Sequence, residues 1–385
     1  MKNLLKKAAT RSVIVSIALI LLAGCNNADS KASEADSFRI VSMDETIESE
    51  YNGMFDITNR SRLDFVDFSS LEAAPICDDP TCKHEPGANA DGEMCQAYGK
   101  SNHPFIYKNK LYYFRDAEYT EIDGIYYRGC EFWQSEINGT GNKLLLSFDK
   151  LMLYEYTRAL LFKNRLYLPM TIESHDKDFN EFEPAIELIS IDLDDNTYSD
   201  YGKVRSGYSI DGEMMGVVEG KVVFQINYPE TNLPFMEKVN RYIEENKVSD
   251  EEAIRAVTEN ESYLSEQFEI NDDSFRKCDK QGLLCVSKKG YYYIKDGKPE
   301  YVGKDGKTKT YEITLANAGA SYVGEYVILS DGSGKAWLID ESKGELLPMK
   351  YLPQIIIIKD GQALVSDYTN NEKIIKRIPV NELIQ

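Results

Sequence analysis

The feature that most constrains this chain is one short pattern that recurs along most of its 385 residues: a turn of Asn, Lys, Asp or Gly, then a burst of β-branched and aromatic residues. It reads Lys108-Asn109-Lys110-Leu111-Tyr112-Tyr113-Phe114, then Lys163-Asn164-Arg165-Leu166-Tyr167-Leu168, then Glu219-Gly220-Lys221-Val222-Val223-Phe224. It returns at 288–294, 324–329 and 359–365. A short apolar run precedes each burst, such as Phe105-Ile106-Tyr107, Ala159 to Phe162 or Ile355 to Ile358, so each unit begins as strand, turn, strand. An alternating strand that ends in an Asn/Asp/Gly turn follows at 130–141, 186–196 and 336–344, and a shorter strand comes after it, as at 143–147. Four strands per unit is the composition of a propeller blade. The spacing is wide between early units and narrower between late ones, as in diverged repeats with loop insertions. The expected fold is all-β, a β-propeller of about six or seven blades, with sandwich-like packing as the alternative. A ring of blades leaves only short, protected edges, so many aromatic strands coexist without aggregating.

One segment breaks the period. From Leu233 to Phe268 the pattern turns helical, with Phe235, Val239, Tyr242 and Ile243 on one face. A second helix is signalled by Ser249 and Glu252 as a capping box, followed by Ala253, Ile254 and Val257. The expectation is a small helical insertion over about 233–268, either packed on the rim or serving as a lid or docking element.

The amino terminus is an address. Lys2, Lys6, Lys7 and Arg11 precede an apolar stretch, Val13 to Leu22, interrupted only by Ser16, and Leu21-Leu22-Ala23-Gly24-Cys25 closes it. That is the layout of a bacterial lipoprotein signal. The stretch is too short for a spanning helix, which needs about 20 apolar residues. The expected organisation is therefore a signal peptide at 1–24, then lipidated Cys25 with a flexible tether to residue 37, then a propeller domain at 38–385. The tether contains no apolar residue larger than alanine. The protein is expected to be exported and lipid-anchored to the cell membrane on its extracytoplasmic side.

The formal charge is −20, from 64 acidic against 44 basic residues, and cleavage of a basic leader makes the remainder more acidic still. Such a chain lacks the counter-charge on which phosphate-backbone binding depends, so nucleic acid is excluded as a partner. The expected partners are the membrane, through the anchor, and an envelope protein or glycan.

Local chemistry is confined to the cysteines. Cys77, Cys82, His84 and Cys95 fall within a short stretch, and Asp78-Asp79-Pro80 favours a turn that brings Cys77 and Cys82 together. Three thiolates and an imidazole make a closed tetrahedral site for structural zinc, with no position left for a water nucleophile. In an exported protein the same cysteines are alternatively disulfide-forming. Cys278 and Cys285 either pair across a hairpin or sit apart, and Cys130 reads as a core cysteine.

Familiar catalytic patterns fail. Met94 stands where a phosphate loop ending in Gly99-Lys100-Ser101 needs glycine. Asp192, Asp194 and Asn196 imitate a calcium loop, but Thr197 and Lys203 occupy its glycine and bidentate-acid positions. There is no nucleophile elbow, and His103 and His175 are the only histidines outside the cluster. No catalytic or cofactor-binding residue is assigned.

The leader, the segment Cys77-Asp78-Asp79-Pro80-Thr81-Cys82-Lys83-His84 with Cys95, and the repeats together resemble exported lipoproteins of anaerobic Gram-positive bacteria that carry TolB-like or uncharacterised propeller repeats. The resemblance covers most of the chain. It implies fold and location and carries over no enzyme class. The first functional expectation is a non-enzymatic module that binds a ligand or protein, or acts as a scaffold. The second is an exported carbohydrate-active hydrolase or lyase using carboxylates at the propeller mouth, since an acid-rich chain always holds close carboxylate pairs somewhere.

Overall fold

The computed structural model describes residues 38–385 apart from 43–44, 59–61, 86–94, 101, 155–156 and 370–371. The leader, Cys25 and the tether lie outside the described residues. Every recurring burst is the second strand of an antiparallel hairpin: Asn102–Tyr107 with Lys110–Asp116, Ala159–Phe162 with Arg165–Ile172, and Gln354–Lys359 with Gln362–Thr369 are three of them. The turn chemistry is the reason. Lys108 and Asn109 lie at φ 47° and 60°, Glu219 and Gly220 at 51° and 79°, and Asp360 and Gly361 at 51° and 72°. Two consecutive positive φ values make the type I′ loop, whose twist matches that of the strands it joins.

Among the described residues there are five sheets of four strands, one of five and two of three; most are meanders, but Thr120–Ile122 and Ile125–Tyr127 leave the 102–148 run to pair with Ser174–His175. The fold class is that of a β-propeller with a small helical insertion, built from these blade-type sheets. The chain divides into two compact units, one holding the described residues up to Met214 with Ile226–Ser265, the other Met215–Gln225 with Glu266–Gln385.

In the first unit, strands of the 102–148 sheet alternate so that Phe105, Tyr112, Phe114 and Phe132 share one face. Phe105 stacks on Tyr112 at 5.3 Å and Tyr112 on Phe132 at 5.7 Å. Leu166, Leu168, Ile189 and Ile191 of the 159–206 sheet complete the same core. In the second unit, Tyr292, Val327, Leu329 and Ile339 form a core of the same kind.

The helical expectation needs one correction. Helices occupy Phe235–Asn246 and Asp250–Asn260, but Tyr263–Asn271 is a strand, so the stretch from Tyr263 to Phe268 is not helical. Tyr263, Leu264 and Phe268 suit a strand as well as a helix, and the place of this segment beside Lys221–Pro229 in the sheet decides for the strand. The Ser249 side chain caps the second helix by accepting from the Glu252 amide. Val239 and Ala253 are the buried anchors of the pair. Among the described residues no helix is long and apolar enough to cross a membrane.

The first strand, Phe38–Val41, has no counterpart in the repeat reading. It pairs antiparallel with Ala159–Phe162 as the fifth strand of that sheet. Arg39 secures it by an ion pair to Glu48 and a 2.5 Å hydrogen bond to the Ile106 carbonyl. Glu48 also accepts from the Ile106 amide at 2.8 Å, and burial pushes its carboxyl up to about 7 although Arg39 opposes the shift. A folded value above the ordinary 4.5 means that the stability held by the protonated group is full below about 4.5 and is lost as pH rises through about 7. Glu48→Gln keeps the acceptor for Ile106 and does not titrate, so its stability should gain on the wild type by about 3 kcal/mol across that window. Urea midpoints at several pH values check this. A stability difference independent of pH would mean that Glu48 titrates alike in the folded and unfolded chain.

Candidate metal centre

The chain leaves strand Ala73–Pro75 and turns back on itself within a few residues. Asp79 makes the turn, its Oδ1 accepting from the Thr81 amide at 2.8 Å and the Thr81 hydroxyl at 2.7 Å, and the Cys82 amide closes it on the Asp79 carbonyl at 3.2 Å. These Thr81 bonds hold the Asp79 carboxyl below its usual range. Cys82 thereby comes round to face Cys77, as the Asp-Pro signal led us to expect. His84 follows at φ 55°, and its carbonyl is held by the Tyr98 hydroxyl at 3.2 Å and by Arg62 Nη1 at 3.4 Å.

Both arms of the loop are pinned to one strand, Arg62–Asp67. The Ile76 amide donates to the Leu63 carbonyl at 3.0 Å, just ahead of Cys77, and the Leu63 amide donates to the Ala97 carbonyl at 2.9 Å, just beyond Cys95. Arg62 is itself fixed by a two-point bond to Asp64, at 2.7 and 2.6 Å. A second brace comes from the 136–141 turn, where Asn138 Nδ2 reaches Asp78 Oδ2 at 2.6 Å.

The result is convergence. One ligand atom each from Cys77, Cys82, His84 and Cys95 lie within 4.8 Å of one another, and Cys95 Sγ stands 3.7 Å from His84 Nδ1. No other such group occurs among the described residues. Backbone amides point at every sulfur: Asp79 and Gln96 at Cys77, His84 at Cys82, and Ala97 at Cys95. Donors so placed stabilise thiolate charge. Burial works the other way, raising the Cys77 thiol and pushing Cys95 up to about 12, so deprotonation here requires a cation. His84 is held below its usual value, first by burial and then by Arg62, which leaves a neutral ring able to ligate. The cluster is therefore a four-donor set able to hold a metal ion.

The remaining cysteines stay apart from this chemistry. Cys130 and Cys285 are buried in separate cores, Cys278 is half-buried with its thiol pushed up to about 11 by burial, and all six described cysteines are free thiols. His103 is fully buried between the Asn102 side chain and the Thr157 carbonyl, and burial lowers its ring to about 4. His175 stacks between Tyr126 and Phe179 and bonds the Asp176 carbonyl. Carboxylates with disturbed ionisation do exist. Asp211 and Glu213 alternate along one strand, both are raised by burial, both hydrogen-bond Asn227, and Arg158 Nη1 stands 3.5 Å from Glu213.

The supports of the centre were not read from the sequence. Arg62 and Tyr98 carry no local signal, whereas Asp79-Pro80-Thr81 could have been recognised as an Asx-turn.

No known family's sequence profile matches the chain, and no curated protein matches it. It is similar to a solved oligogalacturonate lyase in complex with manganese, at 7% identity and a TM-score of 0.41 over 89% of this chain and 90% of the other. It is also similar to an oligogalacturonate lyase from Vibrio parahaemolyticus, at 6% identity and a TM-score of 0.44 over 89% and 91%. A third similar structure is the β-propeller domain of the trilobed protease from Pyrococcus furiosus, at 10% identity and a TM-score of 0.37 over 86% and 92%. What those proteins act on or bind belongs to them.

Proposed function

We propose that the protein is an extracytoplasmic lipoprotein, held on the membrane through Cys25, whose propeller is a non-enzymatic module binding a ligand, a glycan or an envelope protein, with structural zinc at Cys77, Cys82, His84 and Cys95. The observation that carries the reading is the saturated donor set. Three sulfurs and one nitrogen meet with every sulfur already braced by backbone amides, which is the chemistry of a closed zinc site that holds a loop rather than activates water. A disulfide would use two of the three sulfurs and leave the third thiol and the imidazole with no role.

The anchor supports location. Acyl chains contribute about 0.8 kcal/mol per buried methylene, so two or three retain a protein on a bilayer. Cys25→Ala should leave the protein unprocessed or release it from the membrane fraction, with no incorporation of labelled fatty acid. A lipid-labelled, membrane-bound variant would overturn the lipoprotein assignment. The hydrolase or lyase alternative rests on Asp211 and Glu213, and glycan turnover abolished by Glu213→Gln would move the protein to that class.

A further inference from the structure

Lys100, the lysine of the failed phosphate-loop pattern, is 1% exposed, although a lysine is almost never fully buried without an ionic partner. Its Nζ donates to the Gln96 carbonyl at 2.7 Å and lies 5.3 Å from the Tyr113 ring centre, and no carboxylate pairs with it among the described residues. Burial and then Arg115 pull its ammonium down to about 8, and the groups that draw it back up are Cys95 and Cys77 rather than an acid.

The bond to Gln96 leads directly to the cysteine cluster. The peptide group that accepts from Lys100 is the one whose other end, the Ala97 amide, points at Cys95. A cation on the carbonyl polarises that peptide and strengthens its N–H as a donor, so Lys100 acts on the Cys95 sulfur through a single peptide plane. The adjoining peptide carries the Gln96 amide that points at Cys77.

Charge shows what such a cation is suited to. Three thiolates and a neutral imidazole around a divalent ion carry one net negative charge. Of the other charged groups beside the four donors, Asp64 is buried but bound at two points by Arg62. Asp78, Lys83 and Glu85 are exposed, Asp79 is half-buried and held by Thr81, and Arg115 is half-buried over Trp133 with its Nε on the Gly99 carbonyl. Water reaches these five and screens them. Lys100 is unscreened, and a low dielectric strengthens its interaction with a charged centre.

We propose that Lys100 is the counter-cation of the metal centre, a positioning residue that balances a site of three thiolates and one imidazole and braces Cys95 through the Gln96–Ala97 peptide. It matches a divalent ion: a monovalent ion in the same donors would leave a second negative charge unbalanced, and a trivalent one would set Lys100 against a neutral centre. The proposal rests on the structural-zinc reading and deepens it.

The test is Lys100→Met, which keeps a long apolar stem and removes the charge. Zinc affinity of the full-length protein in detergent is measured by competition with a chromogenic chelator, cobalt(II) spectra report the ligands, and thermal unfolding is recorded with and without metal. The variant should bind zinc at least about tenfold more weakly, the class of loss that follows removal of a group supporting a metal ligand. Its cobalt spectrum should keep the thiolate charge-transfer bands, since Cys77, Cys82, His84 and Cys95 are all present. Without metal the variant should unfold at a higher temperature than the wild type, because an unmatched buried ammonium is gone. Its gain on zinc loading should be smaller than that of the wild type, in step with the weaker affinity. Unchanged zinc affinity, or a midpoint that falls equally with and without metal, overturns the role of Lys100 and leaves the centre standing. A wild type that binds neither zinc nor cobalt overturns the centre and this role with it.

Discussion

Cys82→Ser should abolish metal binding at the four-donor cluster and unfold the loop around it, as the zinc proposal requires. Serine cannot supply a thiolate, and three remaining donors would leave open the fourth position of the proposed closed site. Structural zinc contributes about 10–16 kcal/mol of apparent binding free energy in small domains that fold only with metal. Here the loop is also pinned through Ile76, Ala97 and Arg62, so part of the structure should survive the loss. A cost above about 4 kcal/mol is expected, in the class produced by losing a metal. Native mass spectrometry of a chelator-free wild type should give a zinc-sized adduct lost on denaturation, and the variant should lack it. Hydrogen exchange should rise over residues 73–85 and 95–98 and stay unchanged in the 283–310 sheet. Cys278→Ser, at a half-buried thiol outside the cluster, is the control. A wild-type mass free of metal and short by pairs of hydrogens would reassign the cysteines to disulfides, and unchanged unfolding of Cys82→Ser would reject both structural roles.

Gly324→Val should destabilise the second unit by more than about 3 kcal/mol. A Cβ built at Gly324 would stand 2.1 Å from the Ile358 carbonyl oxygen, and φ there is +86°. The residue forms a parallel bridge to Ile358, whose amide donates to the Val323 carbonyl at 3.0 Å. A side chain must therefore part the 319–348 sheet from the 354–379 sheet, and the left-handed backbone alone adds about 1–2 kcal/mol. Gly361 is the comparison: its φ is +72° but nothing lies within 4 Å of an added Cβ. Gly361→Val should cost only the conformational part. Equal shifts of the urea midpoint for the two variants would show that close approach at Gly324 does not hold the sheets together.

These two sites also separate what is local from what is not. The hairpins were legible because Lys108-Asn109, Glu219-Gly220 and Asp360-Gly361 tolerate consecutive positive φ values, and the alternating residues beside them need only one buried face. Cys77, Cys82 and His84 were legible for a related reason. They are close in sequence, and Asp79-Pro80-Thr81 folds the interval by itself. The helical insertion was legible up to Asn260 and misread beyond it, because a short apolar run takes its state from the strand beside it.

The sequence by itself determined the strand-turn-strand grammar, the helical pair and the identity of the four donors, because each depends on bonds and dihedrals within a few residues. Only the tertiary structure decided that Phe38–Val41 pairs with Ala159–Phe162, that Arg62 braces His84, and that Gly324 is pressed against Ile358. Each of these joins residues distant in the chain, and such partners are chosen by packing, burial and the need to satisfy buried polar groups, none of which leaves a mark on the residues next in sequence.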